Sequence, residues 1–331
     1  MRARTVMSAV ALGLALSCVS APAFAAQPVR PAQHRPVRNG PILAEVGPVI
    51  PTLESVDPST GSATAVGQVT SGCGNAVSPD GKLVAFVMAC GYEAQKYDHE
   101  IELMNRDGSD VRDVIGTGGD PHYTAFTGSP SFSPDGTRLI IGTLVWPVNQ
   151  GNLPPAQTIE TVRLDGTDIQ TVDLGVSGYV DQTPQYSPKR DILAFSIGGA
   201  LYLKFGDRPA RLLESARPGL PKVGDASTIS WSPDGRQLVY SDNGTVYEVA
   251  VDGSGWRTVL EASATTDYTQ PVFSPDGREL AVAALTTDPS GVAPDADTLD
   301  VLALAHPGAP RTVLDLAGSG GMASPAWLPA D

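Results

Sequence analysis

Four aspartates stand shortly before copies of a short Ser-Pro pattern, and carboxylates placed in this way could bind a cation. The last three lie six, seven and seven residues before the serine of the next copy, and the four are Asp120, Asp181, Asp225 and Asp267. If they surround one opening, they attract a metal ion or a segment that carries Lys or Arg. The alternative, in which each aspartate caps its own loop through backbone hydrogen bonds, stays open.

Aromatic and imidazole side chains accompany two of these aspartates. His122 and Tyr123 follow Asp120, and Tyr268 follows Asp267. Because tyrosine suits protein interfaces, these residues are predicted to bind a partner. One alternative is a metal-dependent hydrolase or lyase whose divalent cation would be held by Asp120, His122 and Asp181. The chain has no closely spaced ligand motif of the zinc type and no G-x-S-x-G elbow, so no catalytic residue and no cofactor is predicted.

The Ser-Pro pattern is a repeat, and it indicates which elements carry these residues. An apolar residue, Ser-Pro, Asp-Gly or a substitute, and an apolar run occur five times, with a degenerate sixth copy at Pro325–Pro329. Successive motif serines lie 55, 54, 45 and 42 residues apart, and they are Ser78, Ser133, Ser187, Ser232 and Ser274. Strand-like repeats of about 40 to 50 residues are typical of propeller blades.

Each copy predicts four antiparallel strands, which we name a to d along the chain. Ser-Pro-Asp-Gly forms the turn from a to b, since Asp bonds to nearby backbone amides and Gly accepts a positive φ. A second Asp-Gly turn joins c to d. Residues 53–66 look like a c–d pair, residues 324–329 look like an inner strand, and residues 42–46 could supply strand b. We therefore predict an all-β, six-bladed propeller, closed by pairing of the N- and C-terminal segments.

The repeat resembles that of the exported six-bladed propellers with TolB-like, WD-like repeats, whose inner hairpins carry the same Ser-Pro-Asp-Gly element. Over residues 42–331 the resemblance implies this fold and a tendency to bind other proteins. The chain departs from the pattern where Lys189-Arg190 replaces Asp-Gly in the third copy. It also leaves no room for the α/β domain that precedes the propeller in TolB, so the resemblance does not imply the Tol role.

Strand order directs the functional search to one face of the ring. If strand a runs down, both tight turns of every blade lie on the bottom face, and the longer connections lie on the top face with the four aspartates. Long loops on a rigid scaffold are where binding usually resides. The predicted function is non-catalytic binding of a protein or peptide partner through the top face.

The net charge and the N-terminal segment restrict the class of partner and the cellular location of the protein. The net charge of −14 predicts a partner with basic character and excludes nucleic acid. Arg2 and Arg4, an apolar run and Ala23-Phe24-Ala25 predict a signal peptide over residues 1–25, hence a secreted, periplasmic or cell-envelope protein. Residues 26–41 are predicted to be a disordered Pro/Arg leader. No transmembrane segment is predicted, because the apolar run is shorter than the roughly 20 residues that a span requires.

Three cysteines bear on export. Cys18 allows an alternative in which the chain is an envelope lipoprotein attached through this residue. Cys73 and Cys90 flank the first Ser-Pro-Asp-Gly turn, on opposite arms of one hairpin. In an oxidising compartment a disulfide between them is predicted, with two free thiols as the alternative.

Overall fold

The architecture comes from a computed structural model, and every structural statement below concerns the part of the chain that it describes. These residues are 37–47, 51–70, 74–88, 100–116, 124–126, 128–145, 156–213, 221–224, 228–286, 298–305, 308–316 and 324–330. The predicted signal peptide, residues 26–36 of the predicted leader, and all three cysteines lie outside these ranges. The described residues include no helix with the length and hydropathy that a membrane crossing requires.

The described chain is built from short β-strands whose apolar residues face neighbouring sheets. In chain order they are β1 (Asn39–Val46), β2 (Thr52–Val56), β3 (Ala63–Thr70), β4 (Asn75–Val77), β5 (Leu83–Met88), β6 (Glu100–Asn105), β7 (Arg112–Gly116), β8 (Thr124–Phe126), β9 (Ser131–Phe132), β10 (Arg138–Val145), β11 (Ala156–Arg163), β12 (Gln170–Thr171), β13 (Gln185–Tyr186), β14 (Ile192–Ile197), β15 (Ala200–Phe205), β16 (Arg211–Leu212), β17 (Ser230–Trp231), β18 (Gln237–Asp242), β19 (Thr245–Ala250), β20 (Arg257–Leu260), β21 (Thr266–Phe273), β22 (Glu279–Thr286), β23 (Thr298–Ala303), β24 (Arg311–Asp315) and β25 (Ala326–Pro329).

These strands form six antiparallel sheets arranged as the blades of a propeller. From the inside outward, blade 1 has the order β25-β1-β2-β3, blade 2 β4-β5-β6-β7, blade 4 β13-β14-β15-β16, blade 5 β17-β18-β19-β20, and blade 6 β21-β22-β23-β24. In blade 3 the order from b outward is β10-β11-β12, and the inner position is shared by β8 and β9, which both pair with β10. The predicted six-bladed, all-β fold is confirmed.

Blade 1 closes the ring by joining the two ends of the described chain. Strand β1 pairs with β25 on one side, where Ile42 lies opposite Trp327, and with β2 on the other. The indole Nε1 of Trp327 donates to the carbonyl of Gly40 at 2.9 Å. Closure gives the inner strand of this blade the partners that an open array would lack. The strand begins at Asn39, three residues before the predicted start of the propeller at residue 42.

Packing between blades uses one position of the repeat. Six larger apolar clusters lie between neighbouring blades. Each cluster includes or contacts the residue that comes immediately before a motif serine, or before Leu328, which takes the place of that serine in the sixth copy. These residues are Val77, Phe132, Tyr186, Trp231, Phe273 and Trp327. Burial of one large apolar side chain contributes about 1.5–3 kcal/mol, so these positions hold the blades together.

The Ser-Pro-Asp-Gly turns share one hydrogen-bond arrangement in four copies. Ser78 donates to the Asp80 carboxylate at 2.7 Å and accepts from the backbone N–H of Leu83 at 2.9 Å. The same serine–aspartate bond, at 2.6–2.7 Å, recurs in the other copies that keep the aspartate. The Ser78 hydroxyl holds the pKa of Asp80 below its ordinary value. The motif therefore closes the turn with a charged acceptor.

The third copy departs from this arrangement. Lys189 stands where the other copies have aspartate, and the hydroxyl of Ser187 is fully buried without a hydrogen-bond partner among the described residues. The backbone N–H of Ser187 still donates to the carbonyl of Ile192 at 2.8 Å. Backbone pairing therefore preserves the hairpin although the side-chain bond is lost.

Candidate functional site

The connections between strands differ between the two faces of the ring. Because the strands of each blade alternate in direction, the a–b and c–d turns share the bottom face, while the b–c and d–a connections share the top face. The b–c connections of blades 2, 3 and 6 comprise residues 89–99, 146–155 and 287–297. In blades 4 and 5 the same connection is a two-residue turn, Gly198-Gly199 and Asn243-Gly244. All four turn residues have positive φ, as type I′ turns require.

Asp181, a predicted partner-binding residue, lies at one of these short turns. Its carboxylate accepts hydrogen bonds from the backbone N–H groups of Gly198 and Gly199, both at 2.9 Å. The backbone N–H of Asp181 donates to the carbonyl of Ser196 at 3.0 Å. This is the local capping arrangement that the sequence left open as an alternative. Asp181 is exposed, and it does not line the central cavity described below.

Asp267 and Tyr268 lie at the other short turn, in strand β21 of the next blade. A Cβ atom placed on Gly244 would come within 2.1 Å of Oδ1 of Asp267, so glycine is required here for contact as well as for its φ of 74°. The backbone N–H of Tyr268 donates to the carbonyl of Gly244 at 2.9 Å. The Tyr268 ring packs against the cluster between blades 5 and 6, and burial, then the charge of Asp300, raises its pKa.

The remaining predicted site residues lie outside the described part of the chain. They are Asp120, His122, Tyr123 and Asp225, together with the predicted disulfide partners Cys73 and Cys90. The predicted partner-binding role and the metal-site alternative therefore stay predictions. Asp181 and Asp267, the two described aspartates of this set, each lie beside a two-residue turn, but Asp181 caps the turn of its own blade whereas Asp267 lies against the turn of blade 5.

The inner strands surround a central cavity of about 430 Å³. Its lining includes Asn75, Gln182, Gln185 and Gln270, and serine and threonine residues from several blades. Pyrrolidine rings of the Ser-Pro turns and apolar side chains of the inner strands complete the wall. Lys189 is the only described residue with a formal charge in this lining. The cavity therefore offers neutral hydrogen-bonding groups together with apolar surface.

Side chains link neighbouring inner strands around this cavity. The indole of Trp231 donates to the carbonyl of Gln185 at 2.9 Å, and the backbone N–H of Tyr186 donates to the hydroxyl of Ser131 at 3.0 Å. On the opposite side, Nδ2 of Asn75 donates to the carbonyl of Ser324 at 2.9 Å. Bonds between strands that are distant in sequence fix the shape of the cavity.

The glutamines of the cavity were not predicted from the sequence. Gln185 lies two residues before Ser187, and Gln270 lies four residues before Ser274. Alternate residues of a strand share a face, so the even offset of Gln185 before Ser187 was a signal that could have identified it, whereas the register shift between Thr269 and Val272 interrupts this alternation at Gln270. The site was instead predicted from charged residues, which were expected to lie in the loops of the top face.

A second missed feature is a group of three carboxylates on blade 2. Oxygen atoms of Glu100, Glu102 and Asp113 lie within 4.8 Å of one another, because Glu102 faces Asp113 across β6 and β7. Glu102 is 8% exposed, and burial, then the charges of Asp113 and Glu100, raises its pKa. Carboxylates at such distances could hold a cation, and without one they repel each other.

The chain matches no known family model, and a comparison with curated proteins found no match. Solved structures share its fold at low sequence identity. A chain of the nidogen/laminin complex superimposes with a TM-score of 0.55 and 13% identity, covering 82% of this chain and 93% of that one.

Two bacterial proteins show the same likeness over part of their length. TolB from Acinetobacter baumannii gives a TM-score of 0.53 and 18% identity, covering 88% of this chain and 64% of that one. Hydrazine synthase from Kuenenia stuttgartiensis gives 0.60 and 14%, covering 89% of this chain and 47% of that one. At these identities the comparisons establish what the topology already shows, a six-bladed propeller with a TolB-like fold.

Proposed function

We propose that this chain is an exported, non-catalytic binding protein that holds a protein or peptide partner of basic character on its top face. Export rests on the signal-like residues 1–25, and a mature chain that begins at Ala26 would support it. A mature chain that instead begins at a lipid-modified Cys18 would contradict soluble export and favour the lipoprotein alternative.

The difference between the connections of the two faces is the main support for this proposal. On the bottom face, four a–b turns repeat one serine–aspartate bond, whereas the b–c connections on the top face range from two residues to the eleven residues 89–99. A rigid ring tolerates variation in its connections, and binding residues concentrate on such connections. The top face is therefore the surface on which this chain differs most from a minimal propeller.

Charge and related folds support the same proposal. The net charge of −14 favours partners with Lys and Arg, and steers them toward the protein at low ionic strength. A propeller with this fold occurs in a complex of nidogen with laminin, so the ring is compatible with protein binding.

The chain offers its own template for the decisive variant. In blade 3, Val145 lies opposite Ala156 at the end of the b–c ladder, and residues 146–155 connect them. Replacement of these ten residues by Asn-Gly would copy the turn of blade 5, where Asp242 lies opposite Thr245. In blade 6, replacement of residues 285–297 by Asn-Gly would place Ala284 and Thr298 in the same relation.

We expect wild-type protein to recover a partner from envelope and culture extracts at low salt and to lose it as salt rises. After identification, binding of the purified partner is measured against both shortened variants. Each should weaken binding at least tenfold while urea denaturation shows a folded ring. Trp256→Ala, on the bottom face, is the matched control and should bind as wild type does. Equal binding by the shortened variants, or loss in the control alone, would place the interface elsewhere.

A further inference from the structure

We propose that the central cavity is a separate binding site for a small, uncharged ligand of the neutral sugar class, oriented by Gln185 and Gln270. The site lies on the axis of the ring and uses inner-strand residues, so it does not depend on the proposed protein-binding surface. Its volume of about 430 Å³ lies within the range of about 300–1,000 Å³ that small-molecule sites occupy.

Gln270 presents a fixed hydrogen-bond donor to the cavity. Its Oε1 accepts from the backbone N–H of Ser324 at 2.7 Å, which requires the amide nitrogen to lie on the other side. Nε2 of Gln270 has no hydrogen-bond partner among the described residues, and the side chain lines the cavity. Backbone geometry, through Ser324, thus decides which end of this amide a ligand meets.

The backbone conformation of Gln270 supports a role for this residue in ligand binding. Gln270 has a φ of 51°, in the left-handed region that non-glycine residues rarely occupy, and the pairing of β21 with β22 shifts register between Thr269 and Val272. Strained backbone persists where the surrounding structure holds it, and it concentrates at binding sites. The bulge brings the glutamine to the cavity wall.

Gln185 presents the complementary acceptor. Its Nε2 donates to the carbonyl of Thr183 at 2.9 Å and lies 3.5 Å from the carbonyl of Ser129. Carbonyls can be met only by the amide nitrogen, so Oε1 is the atom that remains for a ligand. Gln185 belongs to blade 4 and Gln270 to blade 6, and Ser230 of blade 5, between them, also lines the cavity. A residue with a free donor, a residue with a free acceptor and a serine therefore line one space.

The chemistry of this lining favours a polyhydroxylated, neutral molecule. Each sugar hydroxyl can donate and accept, so one ligand can satisfy the free donor of Gln270 and the free acceptor of Gln185. A charged ligand would require a countercharge, and the described lining carries one only at Lys189, in a bottom-face turn. The proline rings and apolar side chains of the wall suit the C–H surface of a sugar ring. On the top face, the b–c connections of blades 4 and 5 are two-residue turns, so these two blades place no long b–c loop at that end of the cavity.

The test titrates purified protein with glucose, galactose, N-acetylglucosamine, maltose and trehalose at millimolar concentration. Binding is measured by calorimetry and by saturation-transfer NMR. Glucosamine and galacturonate serve as charged probes, and N-acetylglycinamide as a peptide-like probe. We expect saturable binding of at least one neutral sugar. Gln185→Met and Gln270→Met should each raise the Kd of that sugar about tenfold, since each removes one hydrogen bond to the ligand.

Two further variants keep the test independent of folding defects. Ser230→Leu narrows the cavity between the two glutamines, leaves both of them in place and should weaken binding strongly. Gln237→Met makes the same change as the test variants at an exposed position of strand β18, and should leave Kd unchanged. The proposal is overturned if no neutral sugar binds saturably, if only the charged or peptide-like probes bind, or if Ser230→Leu binds as wild type does.

Discussion

The bottom and top faces of the ring use carboxylates in different ways. On the bottom face, four copies of the repeat place a serine hydroxyl on an aspartate at 2.6–2.7 Å, in the same position of each turn. On the top face, Asp181 caps the turn of its own blade, whereas Asp267 lies against a turn of the neighbouring blade. On the bottom face the repeated aspartates stabilise the turns of the scaffold. The two described aspartates of the top face also lie at turns, so their position on that face does not by itself make them binding residues.

The largest expected effect comes from a matched pair of serines on the bottom face. Ser78→Ala removes the donor to Asp80 and the acceptor for the N–H of Leu83, and should lower the free energy of unfolding by about 1–3 kcal/mol. Ser187→Ala removes a buried hydroxyl without a described partner, and should leave stability unchanged or raise it. Urea denaturation measures both. An equal loss in the two variants would show that the aspartate contributes nothing to the turn.

A smaller effect is expected at the top-face turn of blade 4. Asp181→Ala should destabilise the protein by about 1–2 kcal/mol, because the N–H groups of Gly198 and Gly199 lose a charged acceptor. Asp181→Asn keeps one acceptor oxygen and should show an intermediate loss. If Asp181→Ala instead leaves stability intact and weakens binding of a basic partner, the residue acts in recognition and the capping bonds are incidental.

The smallest expected effect is a difference in how the turn carboxylates and Glu102 change the stability of the fold with pH. The pKa values of Asp80 and Asp135 are lowered, first of all by the serine hydroxyls, so their stabilising contribution is present above the ordinary pKa of Asp, about 3.9, and is lost as pH falls through the lowered values. The pKa of Glu102 is raised, so its ionisation destabilises the fold as pH rises through that value.

Glu102→Gln should therefore raise the free energy of unfolding by about 1 kcal/mol at neutral pH, and the gain should vanish below about pH 4, where wild-type Glu102 is protonated. Urea denaturation of both proteins across this range gives the difference. A gain that persists unchanged in acid would mean that the effect does not come from charge repulsion with Asp113 and Glu100.

The sequence predicted the fold in detail because its signals are local. The spacing of the motif serines gave the number of blades, and Asp-Gly turns with apolar runs gave the antiparallel hairpins. Even the completion of blade 1 followed from counting which strands each end lacked, and the pairing of Ile42 with Trp327 confirms it.

The candidate site was harder to predict from the sequence, because its geometry depends on strand register and on contacts between blades. The spacing of Asp181 and Asp267 is regular, yet Asp181 meets the turn of its own blade, whereas Asp267 meets the turn of blade 5 through the packing of two blades. Glu102 and Asp113 face each other only because β6 and β7 pair with a register shift. No local pattern encodes that shift, so sequence analysis could not place the two carboxylates together.

The sequence alone determined a ring of six blades, since strand alternation and turn chemistry act over a few residues and repeat along the chain. Tertiary structure decided which polar groups reach the axis. The free amide ends of Gln185 and Gln270 are set by backbone carbonyls and N–H groups, and Ser129 and Ser324 supply theirs from neighbouring blades. A hydrogen bond from a distant segment fixes an orientation that the residue's own neighbours leave open.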